Sequence, residues 1–93
     1  MSIIVSKEDI KRYLKLDIFS ELTILKEKVR MFEKKYKCSL KEFEKRIKKS
    51  DKEVFEEWDD YIEWKGYVKR IQELEQKMRA IDNATDFKII ETK

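Results

Sequence analysis

The chain has 93 residues, enough for one small domain, with 46% charged residues and a net charge of +3. It has no proline, no histidine, one glycine (Gly66) and one cysteine (Cys38). This excludes a turn-rich β fold, a glycine-rich phosphate loop, an internal disulfide, and the commonest general base and metal ligand. The charge is mostly Lys and Glu, which are good helix formers, so the expected class is all-α.

The elements follow in chain order. Ile3, Ile4 and Val5 form a β-branched run that reads as a short strand or as a hydrophobic entry to the first helix. Ser6 is the expected N-cap of a helix over 7–16 that buries Ile10, Tyr13 and Leu14. A bend is expected at Asp17–Ser20. A second helix over 18–37 then carries Ile18, Leu22, Leu25, Val29, Phe32 and Tyr36, spaced 4, 3, 4, 3, 4. That seam packs against the chain's own last helix or zips to a second copy, as a self-association seam. Ser39 with Glu42 is a capping box opening a helix over 39–49, with Leu40, Phe43 and Ile47 on its apolar face. Ser50 with Glu53 repeats the box and opens the last helix, over 51–81. The whole is expected to be a helical hairpin or coiled-coil bundle. Residues 1–93 are read as a single domain, with 82–93 as a mobile or partner-ordered tail and the β-prone stretch 86–93 as a possible strand.

The last helix shows two apolar stripes. Val54, Phe55, Trp58, Tyr61 and Ile62 cluster on one side, and Trp64, Tyr67, Val68, Ile71, Leu74, Met78 and Ile81 on another. At the helical angle per residue the two are about 160° apart, more than heptad drift supplies. Either the helix breaks near Gly66 or its halves pack on different objects.

Charge is unevenly distributed. Residues 26–52 carry twelve Lys/Arg against five Asp/Glu, whereas residues 53–63 carry six acids and no base. Both tryptophans, Trp58 and Trp64, lie in or beside that acidic stretch. Aromatic stripes at helical spacing commonly form core. Trp64 and Tyr67 adjoin the acids, however, and such residues are over-represented at binding hot spots. The expected partner-binding set is therefore Glu56, Glu57, Asp60, Glu63, Trp64 and Tyr67, meeting a basic protein partner, with a homodimer or hetero-oligomer as the assembly. The basic run Lys41, Lys45, Arg46, Lys48, Lys49 and Lys52 is a solvated helix face or a weak nucleic-acid contact. A ribbon–helix–helix arrangement of residues 3–5 with the first helices would need polar base-reading side chains where the chain has aliphatics. The acids Glu56, Asp59, Asp60 and Glu63 lack the loop that hard-cation sites use, so no metal and no cofactor is expected. Cys38 has no histidine to activate it, and no catalytic residue is assigned; the chain is read as non-enzymatic.

No stretch approaches the length of a bilayer span, and MSIIVSKED has no signal-peptide pattern, so a cytoplasmic location is expected and no membrane partner. Few Asn, Gln and Cys beside many Lys and Glu is a thermophile-like composition.

The segments FEKKYKCSLKEFEKRI and FEEWDDYIEWKGYVKRIQELEQKMRAI resemble a group of small archaeal and bacterial helical proteins, over roughly residues 29–81. The group's pattern FEKKYG-x-S-x-x-EF has a glycine at a helix end where this chain has Lys37. The resemblance implies a type II antitoxin, whose helix or tail covers the active site of a toxin.

Overall fold

The computed structural model describes residues 6–83. The expectations for a strand near residues 3–5, a strand at 86–93 and most of the 82–93 tail therefore lie outside the described residues. Within them the chain forms three helices: α1 (Lys7–Tyr36), α2 (Leu40–Lys49) and α3 (Phe55–Asn83).

Local chemistry sets most of the ends. Ser6 has extended backbone, and its hydroxyl accepts from the Asp9 amide at 3.2 Å. Glu8 and Asp9 lie in the first turn of α1 and Lys34 and Lys35 in its last, each complementing the helix dipole. α1 stops at Lys37, the one non-glycine residue with positive φ among those described (φ 55°, ψ 39°). The reversal to α2 is then closed by the full Ser39–Glu42 capping box.

Four expectations are corrected. The two helices 7–16 and 18–37 are one helix, with no bend at Asp17–Ser20. That segment holds no breaker. The hydroxyls of Ser20 and Thr23 donate back to the Leu16 and Phe19 carbonyls, both at 2.9 Å, so their polar groups are met without leaving the helix. Tyr13 and Leu14 are not buried but 74% and 41% exposed. Tyr13 lies on the side of α1 turned away from the seam, and Leu14, on the seam side, lies just before the level at which Lys15 pairs with Asp82 next to the end of α3. The Ser50–Glu53 box does not form. Ser50 instead accepts from the Lys52 amide at 3.2 Å, and α3 begins four residues later than expected, with the Trp58 amide bonded to the Val54 carbonyl. Finally, α3 is continuous through Gly66. Its two stripes resolve into one drifting seam once Tyr61 is moved from the first stripe to the second. Tyr61, Trp64, Val68, Ile71, Leu74 and Met78 then line the core, while Phe55 and Ile62 stay outside.

α1 and α3 run in opposite directions. Lys15 meets Asp82, Glu21 meets Arg70, and Lys35 meets Glu56 and Asp60. All six residues of the Ile18–Tyr36 seam pack into this arrangement, so the surface expected for self-association is spent within one chain. The core has two parts. Leu22, Leu25 and Leu74 are buried at the end distant from α2, with Ile18, Tyr67, Ile71 and Met78 against them. Phe43 and Ile47 from α2 and Tyr61 and Trp64 from α3 form the other part, capped by Val29, Phe32, Tyr36 and Leu40. Each fully buried side chain of this size contributes roughly 1.5–3 kcal/mol.

Candidate functional site

The acidic half of α3 is where the sequence placed a partner surface, and its geometry divides that set. Trp64 is fully buried. Its indole stacks on Phe32 with ring centroids 5.5 Å apart and 15° between planes, and it meets Phe43 at 5.5 Å and Tyr36 at 6.3 Å. Trp64 is thus a core residue and not an accessible anchor. Its Nε1 has no hydrogen-bond partner, a cost of about 1–3 kcal/mol for a buried donor. Tyr67 is half-buried against Phe32. Its hydroxyl donates to Glu63, and Lys28 lies over its ring at 5.1 Å.

The carboxylates are also partly engaged. Asp60 is half-buried and accepts from Lys35 at 2.7 Å and from the Tyr36 hydroxyl. Burial pushes its carboxyl up, but the bonds from Lys35 and Tyr36 outweigh this and hold it below the usual range. Burial, and then the bond to Asp60, push the Tyr36 phenol up to about 12. Lys35 is raised by its bonds to Asp60 and then Glu56. Glu56 accepts from Lys35 at 3.2 Å. Asp60 is therefore a clasp between α1 and α3. Glu56 is bound to the same lysine but remains on the surface.

What faces outward is a row that includes Phe55 and Ile62, two members of the aromatic stripe for which core is the commoner expectation. Phe55 is 85% exposed and Ile62 65% exposed. Phe55, Asp59, Ile62 and Gly66 follow a 4, 3, 4 spacing, which puts them on one face of α3. Val54 adds a third exposed apolar side chain beside them. Phe55, Trp58 and Glu53 line an open hollow of about 260 Å³. Asp59 sits inside the row, with Glu56 and Glu63 along its edge. The signal that separates Phe55 and Ile62 from Tyr61 was the spacing to Trp64: Tyr61 is three residues before it and joins its seam, whereas Ile62 falls outside.

The basic set is displayed on α2 and the turn after it. Lys41, Lys45, Arg46, Lys48, Lys49 and Lys52 are all exposed. Lys48 is bound to Glu44 at 2.9 Å. Glu44 also accepts from the Tyr61 hydroxyl, and these bonds, Tyr61 first, lower its carboxyl. Lys45 and Arg46 help to lower Glu42, whose main stabilisation comes from the backbone and hydroxyl of Ser39. Cys38 is half-buried against the aromatic cluster. Among the described residues there is no group of three or more His, Cys, Asp or Glu placed to hold a metal ion. No helix there is long and apolar enough to cross a membrane.

No curated protein and no solved structure matches the chain. A family model does match, over residues 2–86, which takes in all three helices and the exposed row on α3. On that match the chain belongs to the family described as Uncharacterized protein MJ0235 family.

Proposed function

We propose that the chain is a non-enzymatic protein-binding module that acts as a cytoplasmic antitoxin, neutralising a cognate toxin by covering its active site. The observation that supports the binding role is the outer face of α3, where Phe55 and Ile62 stand exposed around Asp59. Large apolar side chains set among carboxylates suit a basic protein surface: the acids steer the encounter and the apolar groups anchor it. The anchors become Phe55 and Ile62 in place of Trp64 and Tyr67, and Glu56 and Glu63 keep their steering role, whereas Glu57, half-buried, falls on the opposite side of α3 from this row. The antitoxin role itself rests on the resemblance of residues 29–81.

Co-expression with the product of the adjacent gene is the test. Growth arrest by that product should be relieved by the wild-type chain and not by a Phe55→Ala, Ile62→Ala variant that keeps its helicity. A harmless neighbour, or rescue by the double variant, would sink the proposal. A second reading, weak nucleic-acid binding, is favoured by the exposed basic face of α2. It predicts salt-dependent retardation of nucleic acid that is lost on reversing Lys45, Arg46 and Lys49.

A further inference from the structure

α1 carries apolar side chains on two opposite faces, and α3 covers only one of them. Tyr13 is 74% exposed, Leu16 56%, Phe19 62%, Ile24 59% and Met31 65%. The covered seam runs through Ile18, Leu22, Leu25, Val29, Phe32 and Tyr36. Tyr13, Leu16, Ile24 and Met31 fall about 120–160° around the helix from it, at the helical angle per residue, with Phe19 at the edge, about 100° away.

The centre of this second face is small and chemically quiet. Ser20 lies midway between Leu16 and Ile24, four residues from each. Its hydroxyl is committed to the Leu16 carbonyl, and that of the adjacent Thr23 to the Phe19 carbonyl. Neither residue therefore brings an unmet donor to a contact. A large–small–large pattern symmetric about one residue is self-complementary under a two-fold axis through that residue.

We infer that the chain forms a two-fold homodimer in which the outer face of α1 packs antiparallel on the same face of a second copy, crossing at Ser20. Leu16 then meets the partner subunit's Ile24, and Ile24 the partner subunit's Leu16. The two Ser20 residues face each other and let the backbones approach. Tyr13 comes to the level of the partner subunit's Glu27. Given the ~150–250 Å² that large side chains bury, the exposed portions of these five amount to roughly 600 Å² per copy. With Ser20, Thr23 and the lysine stems alongside, that approaches the about 800 Å² per partner of a standard interface. It also stands at the upper end of what monomers leave open as one apolar patch, about 300–600 Å². The face is carried by α1 and the Phe55–Ile62 row by α3; the two come nearest where Met31 and Glu63 line one hollow, and the dimer, argued from α1 alone, does not depend on the antitoxin reading.

The test is self-cross-linking in the full chain with Cys38→Ser as background. Ser20→Cys should oxidise to a disulfide-linked dimer, because only a residue on a two-fold axis meets its own copy. Met31→Cys should not, since eleven residues along the helix place it about 16 Å from the axis. Light scattering on the unmodified chain should give twice the monomer mass. The Leu16→Glu, Ile24→Glu variant should give the monomer mass with helicity unchanged. A wild-type monomer at all accessible concentrations overturns the inference. So does a dimer in which Ser20→Cys fails to cross-link, which places the contact elsewhere. Cross-linking at Met31→Cys overturns it as well, because it reports a parallel pairing.

Discussion

Replacing Gly66 by alanine should stabilise the protein, and the size of the gain can be worked from its surroundings. Gly66 lies in the interior of a 29-residue helix, is exposed, and does not have positive φ. A Cβ built there meets no atom within 4 Å. The substitution therefore adds no clash, fills no cavity and relieves no strain. What remains is the difference in helix propensity, about 0.8–1.0 kcal/mol in favour of alanine, which arises from the greater backbone freedom glycine loses on folding. For a domain of this size that raises the melting temperature by about 4–8 °C. In urea, the midpoint should rise by roughly 0.5 M with an unchanged slope, followed by far-ultraviolet circular dichroism. A midpoint that stays put or falls would refute the reasoning, because it would require a contact at Gly66 that a single chain does not contain.

Other predictions follow from the caps and the clasps. Lys37→Gly should stabilise by about 1 kcal/mol in thermal unfolding, since a left-handed conformation costs a non-glycine residue about 1–2 kcal/mol. Trp64→Phe should cost clearly less in urea titrations than Trp64→Ala, which is expected to lose about 3–5 kcal/mol, because phenylalanine keeps the stack and removes the orphan Nε1 donor; equal losses would contradict this. Stability should fall on both sides of neutrality. The lowered carboxyls of Asp60, Glu21, Glu42 and Glu44 contribute above the unfolded carboxylate range, and that contribution is lost as pH drops below about 4. The raised Tyr36 and Lys35 contribute fully below their unfolded values, and that contribution is lost as pH climbs from 10 towards 12. Tyrosinate absorbance should show late titration of Tyr36, and of Tyr67, which its bond to Glu63 also raises; Asp60→Asn should bring only the Tyr36 step earlier.

Much of the fold can be read from short-range chemistry. Ser6 and Ser39 cap helices as their spacing to Asp9 and Glu42 implies, and the Ile18–Tyr36 periodicity marks the face that packs. The glycine absent from the resembled pattern coincides with Lys37, where the backbone turns left-handed. The errors arise where local rules compete with tertiary ones. Ser50–Glu53 satisfies the capping-box pattern, but the chain needs those residues to turn from α2 to α3. Tyr61 lies between two stripes; its three-residue spacing to Trp64 puts it in the core seam, but the partners it meets there, Phe43, Glu44 and Ile47 of α2, are not visible from the pattern of α3 alone. Trp64 was legible as an aromatic next to acids, but its depth was not, since α2 closes over it with Phe43. The exposed row on α1 escaped because Ser20 and Thr23 interrupt it with polar letters that fold their hydroxyls away.

The clasps along α1 and α3 have one further consequence. Lys15–Asp82, Glu21–Arg70 and Lys35–Asp60 are spread from one end of the pair to the other, and most of their members are well exposed. Individually such pairs add little, about 0–1 kcal/mol. Two long amphipathic rods, however, can slide past each other by a turn, about 5.4 Å, and still find hydrophobic matter to touch. Any such slip unfastens all three at once and leaves Asp60 and Tyr36 half-buried without their counterparts. Together they act as a vernier, selecting a single alignment among sliding states that greasy contact alone would leave nearly degenerate.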